Sequence, residues 1–364
     1  MKIGVIRETF AGEKRVAATP EVAAKLVSKG FDLIVEQGAG EPSHFHDPQY
    51  VEAGAQLVDR GEALAADLVL SVRKPTPEIV QGLREKAILI SHLEDCEDDG
   101  TINRLLDKHI VTFGMERIPR ISRAQSMDAL SSQSNIAGYR AVIEAAVQYG
   151  RFLPLMMSSA GSAKPARLVV LGAGVAGLPA IATARRLGAD VHAYDIRPET
   201  REQIESLGAK FIDIDVGESG AGEGGYAREL SDEAKKRQQE LLSDELAKAH
   251  VIITTALIPC RPAPVLVPED VVERMREGSV IIDLAAATGG NCPLTEPDRV
   301  VEKHGVILVG HTNYPSMLAS DASQFYANNL FNLIGIMFDA GEDGPVLKNP
   351  EDDEITRAAL VTEA

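Results

Sequence analysis

The residues best suited to chemistry lie in the middle of the chain. An apolar strand, Arg167 to Leu171, runs into Gly172-Ala173-Gly174-Val175-Ala176-Gly177, a helix-like stretch follows, and a second apolar run ends at Asp195. Between a strand and a helix, glycines at that spacing let the backbone turn tightly and bring a pyrophosphate onto the helix N-terminus. A carboxylate about twenty residues further on, at the end of the next strand, accepts both hydroxyls of an adenosine ribose and repels a 2′-phosphate. Asp195 therefore argues for NAD(H) over NADP(H), and the neighbouring Arg197 complicates that preference. The plainer alternative is that the glycines serve only a strand-to-helix turn.

A second polar constellation runs from Arg117 to Ser131 and includes Arg120, Gln125, Ser126, Met127 and Asp128. Asp128 and Ser131 are three apart and share a helix face. An Asp or Ser at this point also has an ordinary use as the cap of the helix that begins nearby, and the residues alone do not separate the two readings. A third feature is the stretch Asp213 to Leu230, where Gly217, Gly220, Gly222, Gly224 and Gly225 precede Tyr226. So long an irregular segment suits a lid that closes an aromatic side chain over a ligand; a flexible insertion is the alternative.

These groups need a scaffold, and its rhythm is legible. Strand signals at Lys2 to Ile6, Asp32 to Glu36, Ala66 to Ser71, Ala87 to Ser91 and Ile110 to Phe113 alternate with helical ones, which predicts a parallel sheet. Thr19, Pro20 and Glu21 announce the first helix as cap, first-turn residue and dipole partner, and Lys29-Gly30 stops it. A long helix from about Met127 to Gln148 reads as a connector, and a second α/β unit follows with strands near Val191, Lys210, His250, Val280 and Val306. A late helix, Asp321 to Phe338, returns to the first unit. The expected architecture is α/β: two Rossmann-like open parallel-sheet lobes joined by long helices, with a nucleotide cleft between them. The first lobe is expected to be discontinuous, residues 1–126 plus 310–364, and residues 127–309 to hold the connector and the nucleotide-binding lobe.

Composition narrows the partners. A chain of 364 residues with 37 basic and 54 acidic side chains carries a formal charge of −17, which opposes binding to nucleic acid or to an anionic membrane surface. No apolar run reaches the ~18 residues that span a bilayer, and the N-terminus reads at once as a strand, unlike a signal peptide. The three cysteines, Cys96, Cys260 and Cys292, are scattered and form no C-x-x-C, which suits a reducing cytoplasm; Cys260 reads as a packing residue. No metal is expected: His44-Phe45-His46 lacks the further ligands a zinc site needs, and the acidic runs at Asp95 and Glu351 lack EF-hand spacing.

The strings RVAATPE, RAQSMDALSSQSNIAGYRAV, VVLGAGVAGLPAIATARRLGADVHAYDIRP, GGYARE, TTALIP and DLAAATGGN together resemble the alanine dehydrogenase and nicotinamide nucleotide transhydrogenase family along nearly the whole chain. Within it they look like the NAD(H)-binding portion of the proton-translocating transhydrogenases. The resemblance implies that Arg120, Gln125, Ser126, Met127, Asp128 and Ser131 belong to the loop around the nicotinamide, with Gln125 on its ribose, Asp128 and Ser131 orienting the ring and its carboxamide, and Arg120 toward the pyrophosphate. It places Gly225 and Tyr226 on a mobile loop, Ala256 and Leu257 at the adenine wall, and Gly172, Gly174, Val175, Ala176, Gly177, Asp195, Ile196 and Arg197 around the dinucleotide. It further implies direct hydride transfer to NADP(H) on a partner subunit, a membrane subunit that carries protons, a homodimer, and a cytoplasmic location peripheral to the inner membrane.

Two other functions remain in view. In an alanine dehydrogenase, the same resemblance would put Arg15 and Lys74 on a carboxylic substrate, and amine oxidation would need a His and an Asp. The aligned positions carry Glu94, give or take a residue, and Ala287; His92 lies close by on the same strand. A module that binds NAD(H) without turnover is the third reading.

Overall fold

A computed structural model describes residues 1–94, 99–214, 232–258, 260–341 and 344–362, with backbone alone for 232–235. The chain divides into two compact units, Met1–Ser134 with Pro315–Ala364, and Asn135–Tyr314.

In the first unit, strands β1 (Lys2–Val5), β2 (Asp32–Glu36), β3 (Gln56–Val58), β4 (Leu68–Leu70), β5 (Ile88–Ser91) and β6 (Val111–Gly114) form one sheet in the order β3-β2-β1-β4-β5-β6, all parallel. This is the order 3-2-1-4-5-6 of a doubly wound sheet. Ile3, Val5, Leu68, Leu70 and Ile90 are fully buried on one face, and Val69 and Leu89 on the other; strands covered on both faces read as continuous apolar runs for that reason. The helix Pro20–Ser28 begins where expected, with the Thr19 hydroxyl accepting the N–H of Val22.

In the second unit a short hairpin, β7 (Met156–Ser158) and β8 (Gly161–Ala163), precedes the sheet in sequence. Its sheet holds β9 (Arg167–Leu171), β10 (Asp190–Tyr194), β11 (Lys210–Phe211), β12 (Val251–Thr254), β13 (Val280–Asp283), β14 (Val300–Lys303) and β15 (Val306–Val309), ordered β11-β10-β9-β12-β13-β15-β14. Setting β14 aside, this is again 3-2-1-4-5-6, and the order reverses between β9 and β12, where ligands of such sheets sit beyond the strands' carboxyl ends.

Each sheet ends in an antiparallel seventh strand that the sequence reading did not include. In the second unit β14 folds back on β15. In the first, after the hairpin β16 (Phe338–Gly341) and β17 (Gly344–Leu347), the strand β18 (Leu360–Thr362) pairs with β6. The helix Ala319–Met337 packs against the first sheet, and its buried Tyr326 donates a hydrogen bond to the Ser71 carbonyl at 2.8 Å. Among the described residues no helix is long and apolar enough to cross a membrane.

Candidate functional site

At the end of β9 the chain turns through Gly172, whose φ of +97° an L side chain rarely adopts; its N–H donates to the Tyr194 carbonyl at 2.9 Å. A Cβ at Gly172 would stand 2.4 Å from the Thr255 hydroxyl, and one at Gly177 1.8 Å from the Gly172 carbonyl oxygen. Both glycines are therefore demanded by the packing of strand, turn and helix. Gly174 is different: a Cβ there would meet nothing within 4 Å. Protein packing gives no reason for that glycine, whereas the close backbone approach of a pyrophosphate does. The turn and the open approach at Gly174 thus fit a dinucleotide. The helix Gly177–Arg186 follows directly.

Asp195, just beyond β10, is 8 % exposed and is bound to this turn. One carboxylate oxygen accepts the Ala173 N–H at 2.7 Å, the other the Arg197 N–H at 2.9 Å, and the Arg197 guanidinium adds a bond to each, at 2.9 and 3.0 Å. Burial pushes the carboxyl group's pKa up, but these hydrogen bonds and the Arg197 charge hold it below the usual value. The carboxylate stays ionised and can repel a 2′-phosphate. Around the turn, Val175, Ile196 and Leu257 follow the carboxyl ends of β9, β10 and β12 with exposed apolar side chains. Ala256 in the last of these segments is fixed through its carbonyl, which accepts a bond from Asn291 at 2.9 Å.

The polar constellation belongs to the first unit. Residues Ser122–Met127 form a 3-10 turn, and the helix Ala129–Tyr149 starts behind it. Asn329 and Asn332 both donate to the Ser126 carbonyl, at 2.9 and 3.1 Å, and Arg123 forms a forked pair with Asp353, at 2.6 and 2.9 Å. The loop is thereby pinned while Arg120, Gln125 and Ser126 stay exposed and Met127 is buried. Asp128 accepts both the N–H and the hydroxyl of Ser131, so the capping reading holds whatever else these groups do. Gly225 and Tyr226 lie outside the described residues, as does the expected lid beyond Ile214.

The residues that would serve an amino-acid substrate are otherwise engaged. Arg15, buried, donates to Glu13 through Nε and Nη2 at 2.8 and 2.6 Å and to Gln133 through Nη1 at 2.9 Å. Lys74 pairs with Asp99 at 2.9 Å. His92 lies 3.5 Å from Glu116, with its ring against Tyr326, and Glu94 pairs with Arg73. Ala287 sits in the turn Ala286–Thr288 and brings no carboxylate. Cys260 is disulfide-bonded and not the packing thiol expected, whereas Cys292 is free and buried.

Sequence reasoning missed Gly138 and Asp283. A Cβ on Gly138, within the helix Ala129–Tyr149, would lie 2.0 Å from the Ala176 carbonyl oxygen, so this helix touches the glycine turn backbone to backbone; a glycine inside an otherwise good helix was the available signal. Asp283, fully buried at the end of β13, accepts bonds from Thr254, Ala285, Cys292 and Thr295 and ties the strand ends together.

Comparison with known proteins agrees with this geometry. Residues 4–137 match the alanine dehydrogenase/PNT N-terminal domain, and residues 141–364 the alanine dehydrogenase/PNT C-terminal domain. In Rhodospirillum rubrum the alpha subunit of NAD(P) transhydrogenase is named in parts, and the chain is 49 % identical to the first of them, over its own whole length and 96 % of the relative's. The crystal structure of a transhydrogenase from Sinorhizobium meliloti superposes with a TM-score of 0.87 at 41 % identity, covering 100 % of this chain and 97 % of that one. An L-alanine dehydrogenase superposes at 0.82 with 27 % identity, covering 100 % and 96 %. The chain belongs to the alanine dehydrogenase/PNT family and, within it, is more similar to these transhydrogenases than to that alanine dehydrogenase.

Proposed function

We propose that this chain is the NAD(H)-binding component of a proton-translocating NAD(P) transhydrogenase. The observation that carries the proposal is Asp195, an ionised carboxylate bonded to the main chain of the glycine turn, in a chain whose transhydrogenase relative matches it from end to end. The bound nucleotide supplies hydride, which passes directly between NAD(H) here and NADP(H) on a partner subunit, while a membrane subunit couples the step to proton movement.

The residues of this chain then have only to bind, orient and exclude water. Hydride transfer between two nicotinamide rings exchanges no proton with the protein, so alignment is what the site must supply. Gly172, Gly174, Val175, Ala176 and Gly177 hold the pyrophosphate, Asp195 takes the adenosine ribose with Ile196 and Arg197 beside it in the same cradle, and Ala256 and Leu257 line the adenine. Arg120, Gln125, Ser126, Met127, Asp128 and Ser131 serve the nicotinamide end, and Gly225 and Tyr226 are assigned to the same nucleotide. That Asp128 and Ser131 are locked to each other supports an orienting role, and the loss of a carboxylate at Ala287 speaks against amine oxidation.

Assembly as a homodimer attached to the inner membrane through its partners belongs to the same proposal. Its support is an exposed apolar stretch, Phe152, Leu155, Met156 and Met157, leading into and forming the hairpin of β7 and β8; apolar clusters of that kind mark interfaces.

The test is calorimetric titration of the purified chain with NADH and NADPH, followed by assay of hydride transfer to an NAD analogue after an NADP(H)-binding transhydrogenase subunit is added. NADH should bind in preference, and transfer should require the added subunit. In Gln125→Asn, transfer should fall at least about tenfold with NADH binding retained, the scale on which misplaced reacting groups lose rate. Preference for NADPH, or oxidation of alanine by the chain alone, would refute the proposal.

A further inference from the structure

A carboxylate offers about four lone-pair directions, and in Asp195 all four are used. Each oxygen accepts one main-chain N–H, from Ala173 or Arg197, and one guanidinium N–H of the Arg197 side chain. The main-chain bonds, from Ala173 in the glycine turn and from Arg197 two residues on, tie the carboxylate to the backbone. The guanidinium bonds come from a side chain that is 52 % exposed. Two ribose hydroxyls that donate to Asp195 must take the directions now held by the guanidinium.

We propose that Arg197 is a built-in competitor for the adenosine ribose: it occupies the acceptor that NADH needs, lowers the affinity for NADH, and narrows discrimination against a 2′-phosphate by keeping a cation beside the discriminating carboxylate. The inference rests on the assignment of Asp195 to the ribose of NAD(H) made above. Its physical basis is an exchange of bonds. The pair joins a half-exposed guanidinium to a buried carboxylate, and a forked pair of this kind is stronger than an ordinary surface one; the hydroxyls can replace its two bonds one for one, yet the pair must be broken in every binding event. Ile196, between the two residues, is 81 % exposed, so this segment lies at the surface.

Titration of the wild-type chain, Arg197→Ala and Arg197→Lys with NADH and with NADPH tests this. Arg197→Ala should bind NADH at least about twofold more tightly, because a forked pair on a buried carboxylate is worth no less than an exposed one, and should gain nothing for NADPH. Arg197→Lys, which keeps the charge but not the fork, should fall between. Equal or weaker NADH binding by Arg197→Ala, or an equal gain for both nucleotides, would overturn the inference and leave the NAD(H) assignment standing. A wild-type chain that takes up neither nucleotide would instead remove that assignment, and Arg197's role with it.

Discussion

The carboxylate of Asp128 accepts the backbone N–H of Ser131 at 2.9 Å and its hydroxyl at 2.5 Å. One side chain thus satisfies an otherwise unpaired donor at the start of the helix Ala129–Tyr149 and fixes the hydroxyl's rotamer. Asp128→Ala should cost about 1 kcal/mol of stability, the usual value of such a cap. If Asp128 also orients the nicotinamide, hydride transfer in the reconstituted complex should fall by more than about tenfold, and Asp128→Ser should recover the stability without the activity. Thermal melts and transfer assays on the two variants separate these effects.

Gly138 and Gly335 make a matched pair. Both lie in long helices, but a Cβ on Gly138 meets the Ala176 carbonyl oxygen at 2.0 Å and one on Gly335 meets nothing. Gly138→Ala should therefore destabilise the chain by about 1–3 kcal/mol, as overpacking does, and weaken NADH binding by pushing the glycine turn out of place. Gly335→Ala should stabilise by up to about 1 kcal/mol. Denaturant unfolding of both variants, with NADH titration of the first, is the check; a neutral Gly138→Ala would contradict the contact.

Two carboxylates in the first unit give stability opposite pH dependences. Desolvation, opposed by the bond from the Val72 N–H and reinforced by the nearby Glu13 charge, pushes Glu8 up to about 7. Glu13 is also desolvated, but its bonds with Arg15, the Arg15 charge and the Ser316 hydroxyl bring it down to about 2. A raised carboxyl group costs nothing below the unfolded value of 4.5, and its penalty grows as pH rises from there through 7. A depressed one stabilises fully above 4.5, and that contribution is lost as pH falls toward 2. Glu8→Gln should thus raise the melting temperature at about pH 8 and leave it unchanged below about pH 4. Glu13→Gln should lower it near neutral pH, because the buried Arg15 loses its counter-charge. Melting curves recorded from acid to mildly alkaline pH decide both.

Met157 is 75 % exposed on the hairpin strand β7. If that hairpin joins two copies of the chain, Met157→Glu should shift the protein from dimer to monomer, read by sedimentation or light scattering, with NADH binding unchanged. An unaltered mass would exclude the hairpin as the contact.

Local chemistry made some of this structure legible from the residues. The glycine fingerprint with Asp195 and the Thr19 cap are each patterns confined to about twenty positions, so spacing alone exposes them. The antiparallel edge strands were not legible, because Leu360–Thr362 is three residues long and owes its conformation to β6, far back in the chain. Nor was the burial of Glu13 and Arg15. Charged side chains read as surface by default, and these are inside only because Gln133 and Ser316 complete their bonds from distant segments. The constellation around Gln125 fell between these cases: its residue types were suggestive, and only the resemblance to a family gave them roles.

The last strand, Leu360–Thr362, borders a sheet whose six other members are complete by Gly114, while Asn135–Tyr314 is one uninterrupted stretch. On the ribosome, the inner unit can therefore mature as soon as it emerges. The outer one must wait with the edge of β6 unpaired and the ground later covered by Ala319–Met337 bare. Its final assembly follows translation of Leu360–Thr362, and premature termination between Tyr314 and Leu360 would release a finished second unit tethered to a sheet with an open edge.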